Sequence, residues 1–141
     1  MAKKKVIVCF DYENDNRYKN LLNAWDKNLD IDFSFNDLTP NEIQTSDIPR
    51  IKGALTTKIN QATYTLVIVG RYSNSQHKDH KEIGYKNWQN LEIAKSKENK
   101  NKLIAVKLDR LFDSPDELKY ADATWVYSFD QKEIIDALNK A

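Results

Sequence analysis

The sequence predicts a doubly wound α/β fold built on a five-stranded parallel sheet. Short, β-rich apolar segments alternate with segments of helical periodicity from one end of the 141 residues to the other. Two of these segments, "TYTLVIVG" and "KLIAVKL", are apolar at most positions, which is typical of parallel strands covered on both faces. Right-handed crossovers then favour the flavodoxin-like strand order 2-1-3-4-5, with helices on both faces.

The first strand and the first helix are predicted on either side of a polar turn. "KKVIVCF" is a short β-rich run, and "DYENDN" after it is full of residues that form turns and helix caps. The next segment, "RYKNLLNAWDKN", spaces its large apolar residues at i, i+3, i+4 and i+7. We expect one face of this helix to carry Tyr18, Leu21, Leu22 and Trp25.

A second strand, a long loop and a second helix follow. "IDFSF" alternates apolar and polar residues, which indicates a half-exposed strand near a sheet edge. Residues 36–47 are polar, aperiodic and longer than a typical strand-to-helix connection, so we expect this loop to be mobile or to lie in an interface. The helix after it is predicted to begin near Ser46 or Asp47, with Pro49 in its first turn. Its inward residues are predicted to be Ile51, Leu55 and Ile59.

The second half of the chain continues the alternation. "TYTLVIVG" and "KLIAVKL" are the third and fourth strands, separated by a polar loop and a helix that contains "NWQNLEIAKS". "SPDELKY" indicates a short helix, "TWVYSF" a fifth strand, and "DQKEIIDALNKA" a C-terminal helix with Asp130 as its cap. The predicted core comprises Val6, Ile7, Val8, Leu66, Val67, Ile68, Leu103, Ile104 and Val106.

Length and composition narrow the classes of function. We expect one domain spanning residues 1–141, since this length suits a single core. A formal charge of +1 gives no net field to attract nucleic acid or an anionic membrane, so we expect neither as a partner. The apolar run "VIVCF" after "MAKKK" is too short for a signal peptide, which favours the cytoplasm. The single cysteine, Cys9, supports neither a disulfide framework nor a cysteine-rich metal site.

The fold class predicts where a ligand binds. In doubly wound sheets the site lies beyond the carboxyl ends of the strands, where strand order reverses, which here means after the first and third strands. The "NWQNLEIAKS" helix borders that point. Its inward stripe is predicted to be Trp88, Leu91 and Ala94, with Glu92 at the border beside Trp88. Spacing alone favours a surface charge for Glu92 over a carboxylate at the mouth of a cleft.

These segments resemble those of a TIR domain, in particular the small bacterial TIR-like domains of Thoeris-type antiphage defence. "KVIVCFDYEND" resembles the first TIR box, residues 36–47 occupy the place of the BB loop, and Trp88 and Glu92 form a "WxxxE" pattern. The resemblance implies that Glu92 is the catalytic residue of an NAD+ nucleosidase or cyclase. The product would be ADP-ribose or a cyclic or conjugated ADP-ribose signal.

The implied reaction needs a carboxylate and binding groups, but no metal and no cofactor, because NAD+ is itself the substrate. A fixed carboxylate stabilises the oxocarbenium-like ribose, and nicotinamide leaves as a neutral molecule. Around Glu92 we expect a substrate-binding cleft formed by Phe10, Asp11, Tyr12, Arg71, Ser73 and Trp88. For the aromatic residues among them, plain packing is the alternative.

Two other functions remain open from the sequence. The first is a non-catalytic TIR-like module that docks with itself or with an effector protein, which the atypical first box and BB loop favour. In the enzymatic interpretation, the corresponding partner is an effector that senses the nucleotide product. The second is a receiver-like phosphoacceptor using Asp11 and Lys107, but "VIVGRYS" lacks the required aspartate after the third strand. His77 and His80 are interpreted as solvated loop residues, since no third metal ligand accompanies them.

Overall fold

The computed structural model describes residues 3–38 and 46–141, with only the backbone of residues 37 and 38. Five parallel strands form one sheet in the order β2-β1-β3-β4-β5, which confirms the predicted fold class. The strands are β1 (Lys4–Cys9), β2 (Phe33–Leu38), β3 (Tyr64–Val69), β4 (Lys102–Lys107) and β5 (Ala123–Val126). The helices are α1 (Tyr12–Asp26), α2 (Ile48–Asn60), α3 (His80–Ile83), α4 (Trp88–Glu98) and α5 (Gln131–Lys140).

The central strands are buried on both faces, as their continuous apolar runs predict. All nine predicted core residues are at most 4% exposed. On one face, Val6 and Leu66 belong to a cluster with residues of α1 and α5 such as Leu22 and Ile134. On the other face the strands pack against α2 and α4. The helices therefore cover both faces of the sheet, and the carboxyl ends of β1 and β3 meet at one edge.

The predicted edge strand and the predicted start of α2 are both confirmed. β2 pairs only with β1 among the described strands, and its Phe33 and Phe35 face the core at 1% and 2% exposure. Asp47 caps α2 by accepting a hydrogen bond from the Arg50 backbone N–H, and proline lies in the first turn. The three residues predicted to face inward from α2 are buried.

The first helix departs from its prediction in two ways. It begins at Tyr12, because Asp11 caps it by accepting a hydrogen bond from the Glu13 backbone N–H at 3.2 Å, so most of "DYENDN" is helical. Leu21 is 48% exposed, whereas Leu22 is fully buried and Tyr18 and Trp25 pack on the core. The buried stripe thus follows i, i+4 and i+7 and excludes Leu21, which points about 100° away from Leu22.

Smaller differences occur toward the second half of the chain. The polar loop after β3 contains the short helix α3, and "SPDELKY" forms only a 3₁₀ turn at Asp116–Leu118. α5 is capped by Asp130 as predicted, through the Glu133 backbone N–H. The prediction of a mobile or interfacial loop falls mainly on residues 39–45, which lie outside the described residues. Within the described part of the chain, every helix is too short or too polar to cross a membrane.

Candidate active site

A cleft of about 520 Å³ opens at the carboxyl ends of β1 and β3. Its walls come from three segments that are distant in sequence. Residues 10–14 form one wall, Tyr72 with residues 75–77 forms another, and residues 87–89 with Glu92 form the third. The cleft therefore lies where the strand order reverses, which is the position expected for a ligand site in this fold.

The first wall follows directly from the end of β1. Phe10 is buried at 4% exposure, and Asp11 turns the chain into α1 as its N-cap. Tyr12 is 38% exposed, and its ring centroid lies 6.3 Å from that of Phe10. This wall presents two aromatic rings, together with the polar side chains of the first turn of α1, to the cleft.

The wall formed by α4 is fixed by the side chain of Asn87. Asn87 Oδ1 caps the helix by accepting a hydrogen bond from the Asn90 backbone N–H at 2.9 Å. Its Nδ2 donates to the backbone carbonyls of Ser73 and Ser75, each at 2.9 Å. One side chain thus ties the start of α4 to the loop after β3, and Trp88 and Glu92 line the cleft one helical turn apart.

Glu92 is buried, at 1% exposure, although it lines the cleft. Its Oε2 has no hydrogen-bond partner in the described part of the chain. Burial raises the pKa of the Glu92 carboxyl well above its usual value, and a hydrogen bond from the Cys9 thiol acts in the opposite direction. The interpretation of Glu92 as a surface charge is therefore wrong. On the same helix, Lys95 contacts Glu98, and Ser96 hydrogen-bonds Thr65.

Cys9 lies beside Glu92 at the end of β1 and is buried. Its Sγ is 3.7 Å from the backbone carbonyl oxygen of Gln89. Burial raises the pKa of the Cys9 thiol, and the Glu92 carboxylate raises it further. Cys9 is thus a neutral neighbour that can donate a weak hydrogen bond, as is typical of a buried structural thiol.

His77 also lines the cleft, where its ring meets the edge of Trp88 at a centroid distance of 6.3 Å. Its Nδ1 accepts a hydrogen bond from the Asp79 backbone N–H at 3.0 Å, and His80 Nδ1 lies 3.2 Å from the His77 carbonyl oxygen. Across the described ranges no cluster of three or more potential ligands could hold a metal ion. His77 is therefore a partly exposed residue of the cleft wall.

The structure does not bring Arg71 and Ser73 to the cleft. The Arg71 guanidinium lies 5.6 Å from the centroid of the Phe112 ring, away from the lining residues. Ser73 is fully buried, and its Oγ accepts a hydrogen bond from the Gly70 backbone N–H at 2.8 Å. The sequence predicts Arg71 and Ser73 at the cleft because they follow β3, but the turn after Gly70 directs their side chains elsewhere. Phe10, Asp11, Tyr12 and Trp88 do line the cleft with Glu92.

Several lining residues carried no signal in the sequence analysis. The sequence predicts a turn at Glu13 and Asn14, whereas both lie in the first turn of α1 and line the cleft. Gln89 follows Trp88 on α4, and its Nε2 donates to the Ile68 carbonyl at 3.1 Å. An N-cap preference at Asn87 was the detectable signal, because asparagine directly before an apolar helix is a frequent cap.

The fold and the position of the cleft define a doubly wound α/β protein with a ligand-sized cleft at the switch point of its sheet. The chain belongs to the family described as "Thoeris protein ThsB, TIR-like domain", whose model matches residues 8–113. This match begins at the end of β1 and includes the cleft walls and α4, and it confirms the resemblance suggested by the "WxxxE" pattern. No protein of curated function matches the sequence significantly.

Several solved structures are similar to this one, including two at low sequence identity. One is a 2-deoxyribosyltransferase from Bacillus psychrosaccharolyticus, at 13% identity and a TM-score of 0.54, covering 92% of this chain and 90% of that one. Another is a 3-dehydroquinate dehydratase-like protein from Bifidobacterium longum, at 12% identity and a TM-score of 0.48, covering 99% and 94%. The transferase likeness supports the doubly wound fold and nothing more specific.

Proposed function

We propose that this protein cleaves NAD+ at the bond between nicotinamide and ribose, with Glu92 as its catalytic residue. One observation carries the proposal: a buried carboxyl group, unpaired at Oε2, in the wall of a cleft at the switch point of the sheet. An unpaired buried carboxyl costs stability, so its presence in a ligand-sized cleft favours a functional role. Membership of the ThsB TIR-like family is consistent with this chemistry.

The reaction breaks the bond between ribose C1′ and the pyridinium nitrogen. Both bonding electrons go to the nitrogen, so nicotinamide leaves neutral and needs no general acid. Positive charge develops on C1′ and the ring oxygen, and a carboxylate in a poorly solvated wall stabilises that charge more strongly than water would. A water molecule or a hydroxyl group then bonds to C1′ and loses a proton, which gives ADP-ribose or a cyclic or conjugated product.

The raised pKa of Glu92 does not prevent this role, because the substrate is itself cationic at the reacting end. A pyridinium ring placed beside the carboxyl favours its ionised form, so binding of the substrate and loss of the proton are coupled. Trp88 and Tyr12 supply aromatic faces at the same mouth, on which a flat heterocycle can stack. Within this proposal, Phe10 and Asp11 complete the wall opposite α4.

The test is nicotinamide release from NAD+ by the purified protein, with and without lysate from phage-infected cells. We expect Glu92→Gln to lower the rate by about 10² to 10³-fold, as for the loss of one electrostatic group in a preorganised site. Glu98→Gln is the matched control, since Glu98 lies on the same helix but its side chain is 64% exposed. That control should keep the wild-type rate.

The proposal has a defined alternative outcome. If the wild type is inert with the trigger present, the chain is better explained as a module that docks with itself or with an effector. If the wild type is active and Glu92→Gln is equally fast, Glu92 has no catalytic role. In the proposed activity, the product would act on an effector protein that senses it, so added product should substitute for the active enzyme.

A further inference from the structure

The cleft is acidic, and this bears on which end of the substrate it holds. Asp11, Glu13 and Glu92 all contribute to its walls, whereas the described lining residues include neither lysine nor arginine. Lys78, which follows the wall residue His77, is exposed and is absent from the lining. Arg71 and Lys86, which directly precede the wall residues Tyr72 and Asn87, are engaged elsewhere. Arg71 lies over Phe112, and Lys86 lies 3.8 Å from the carboxylate of Asp116.

The sequence between β2 and α2 contains no positive charge. Residues 36–47 read "NDLTPNEIQTSD", which contains three acidic residues and neither lysine nor arginine. Whatever position residues 39–45 adopt, they bring a carboxylate and no cation. A pyrophosphate group, which carries two negative charges, therefore meets no lysine or arginine side chain in the described walls of the cleft.

The remaining surface of the cleft suits a flat cation. Phe10, Tyr12, Tyr72 and Trp88 line it, and Tyr12 and Tyr72 are exposed by 38% and 50%. Aromatic faces attract cations through their quadrupoles, and this attraction strengthens where water is excluded. The unpaired Oε2 of Glu92 lies at the buried end of the same walls.

We propose that the cleft recognises a pyridinium nucleoside and that the phosphates of the dinucleotide contribute little to binding. This inference rests on the proposed function and adds a substrate class to it. Nicotinamide riboside, which has the cationic base and the ribose but no phosphate, is then a substrate in its own right. Its C1′–N bond breaks with both electrons going to nicotinamide, water adds to C1′, and one proton is released with ribose.

Binding provides a test that does not depend on activity. The probes are 1-methylnicotinamide, a cation without a glycosidic bond, and neutral nicotinamide, titrated calorimetrically into the native protein in buffer free of divalent metals. We expect the cation to bind at least about tenfold more tightly than neutral nicotinamide. The attraction between a buried carboxylate and a unit charge at contact distance exceeds the free energy that a tenfold difference in affinity requires. Glu13→Gln should reduce the difference in affinity between 1-methylnicotinamide and nicotinamide, and Glu98→Gln should leave that difference unchanged. Equal affinities, or tighter binding of nicotinamide, overturn the inference.

Turnover of phosphate-free and phosphate-bearing substrates separates this inference from the proposed function. Nicotinamide release is measured in parallel for nicotinamide riboside, its 5′-phosphate and NAD+, under the conditions in which NAD+ is cleaved. We expect kcat/KM for the riboside within about tenfold of that for NAD+, a difference of at most about 1.4 kcal/mol in transition-state binding. Cleavage of NAD+ with no cleavage of the riboside overturns the inference alone. No release from any of the three overturns the proposed function and the inference with it.

Discussion

The carboxyl group of Asp15 packs against the backbone of Gly70 so closely that a Cβ atom at position 70 would lie 2.0 Å from Asp15 Oδ2. Asp15 belongs to the first turn of α1, where its backbone leaves the helical region at φ −119° and ψ 17°. Gly70 directly follows β3. The contact therefore holds the ends of β1 and β3 together, and the segments that follow these two strands form facing walls of the cleft.

This contact predicts that Gly70→Ala destabilises the protein. The added methyl group overlaps the Asp15 carboxyl, so α1 or the loop after β3 must shift, at a cost of about 1 to 3 kcal/mol. Urea unfolding of the two proteins measures the difference. Gly53→Ala is the control, because nothing lies within 4 Å of its Cβ position, and alanine inside a helix should stabilise by roughly 0.5 to 1 kcal/mol. A neutral Gly70→Ala would contradict the prediction.

Asp15 itself predicts a pH dependence of stability. Burial, followed by the neighbouring Asp11 carboxylate, raises its pKa from 3.8 to about 6, and Arg17 opposes the shift. Because the folded pKa is the higher one, the contribution of Asp15 to wild-type stability falls as pH rises from about 4 through 6. Asp15→Asn does not titrate, so its stability relative to wild type should rise by roughly 1 to 2 kcal/mol over that range and level off above it.

Unfolding free energies at half-unit steps from pH 4 to pH 8 measure this trend. The test compares how the unfolding free energy changes with pH. A pH-independent change in stability caused by placing an amide beside Gly70 therefore does not affect the result. Asp136→Asn, on the exposed face of α5, is the control. A parallel pH profile for wild type and Asp15→Asn would show that Asp15 titrates normally.

Asn87 is predicted to support both stability and the cleft. Asn87→Ala removes the helix cap and the two hydrogen bonds to the loop after β3, and we expect a loss of roughly 1 to 3 kcal/mol. Asp130→Ala removes the cap of α5, away from the cleft, and should cost about 1 kcal/mol. If NAD+ cleavage is confirmed, only Asn87→Ala should lower it at a temperature where both variants are folded, because Trp88 and Glu92 depend on that cap for their position.

The fold was predictable because its signal is local. Continuous apolar runs such as residues 64–69 identify strands covered on both faces, and cap residues such as Asp47 and Asp130 mark helix starts. The place of the cleft followed from the topology, since the switch point of such a sheet is set by strand order. Its exact walls did not follow, because the turn after Gly70 decides that Ser73 points inward and Arg71 points toward Phe112.

The burial of Glu92 could not be predicted from spacing, because α4 is enclosed on several sides. Residues 89–94 are all buried, although a periodic apolar stripe accounts for only part of them. Hydrogen bonds make the burial of the polar residues possible: Asn90 Oδ1 accepts from the Glu117 backbone N–H at 2.9 Å, and Ser96 Oγ lies 2.7 Å from Thr65 Oγ1. These partners are 27 and 31 residues away along the chain, so no local pattern reveals them.

Glu92→Gln is predicted to stabilise the protein at neutral and alkaline pH. Burial raises the pKa of the Glu92 carboxyl well above its ordinary value, so the folded state holds this proton more tightly than the unfolded state does. The contribution of Glu92 to stability is then greatest below about pH 4.5 and falls as pH rises through the folded pKa. A glutamine at this position does not titrate and shows no such loss.

The variant should therefore exceed wild type by on the order of 1 to 3 kcal/mol at pH 8, with a smaller difference at pH 4. Thermal unfolding at the two pH values measures this, and Glu98→Gln should show no such trend because Glu98 is exposed. A variant that is more stable but inactive would show that activity is lost without loss of folding, because misfolding cannot produce both higher stability and lower activity. A variant that is less stable at every pH would show that the Glu92 carboxyl contributes to folding rather than opposing it.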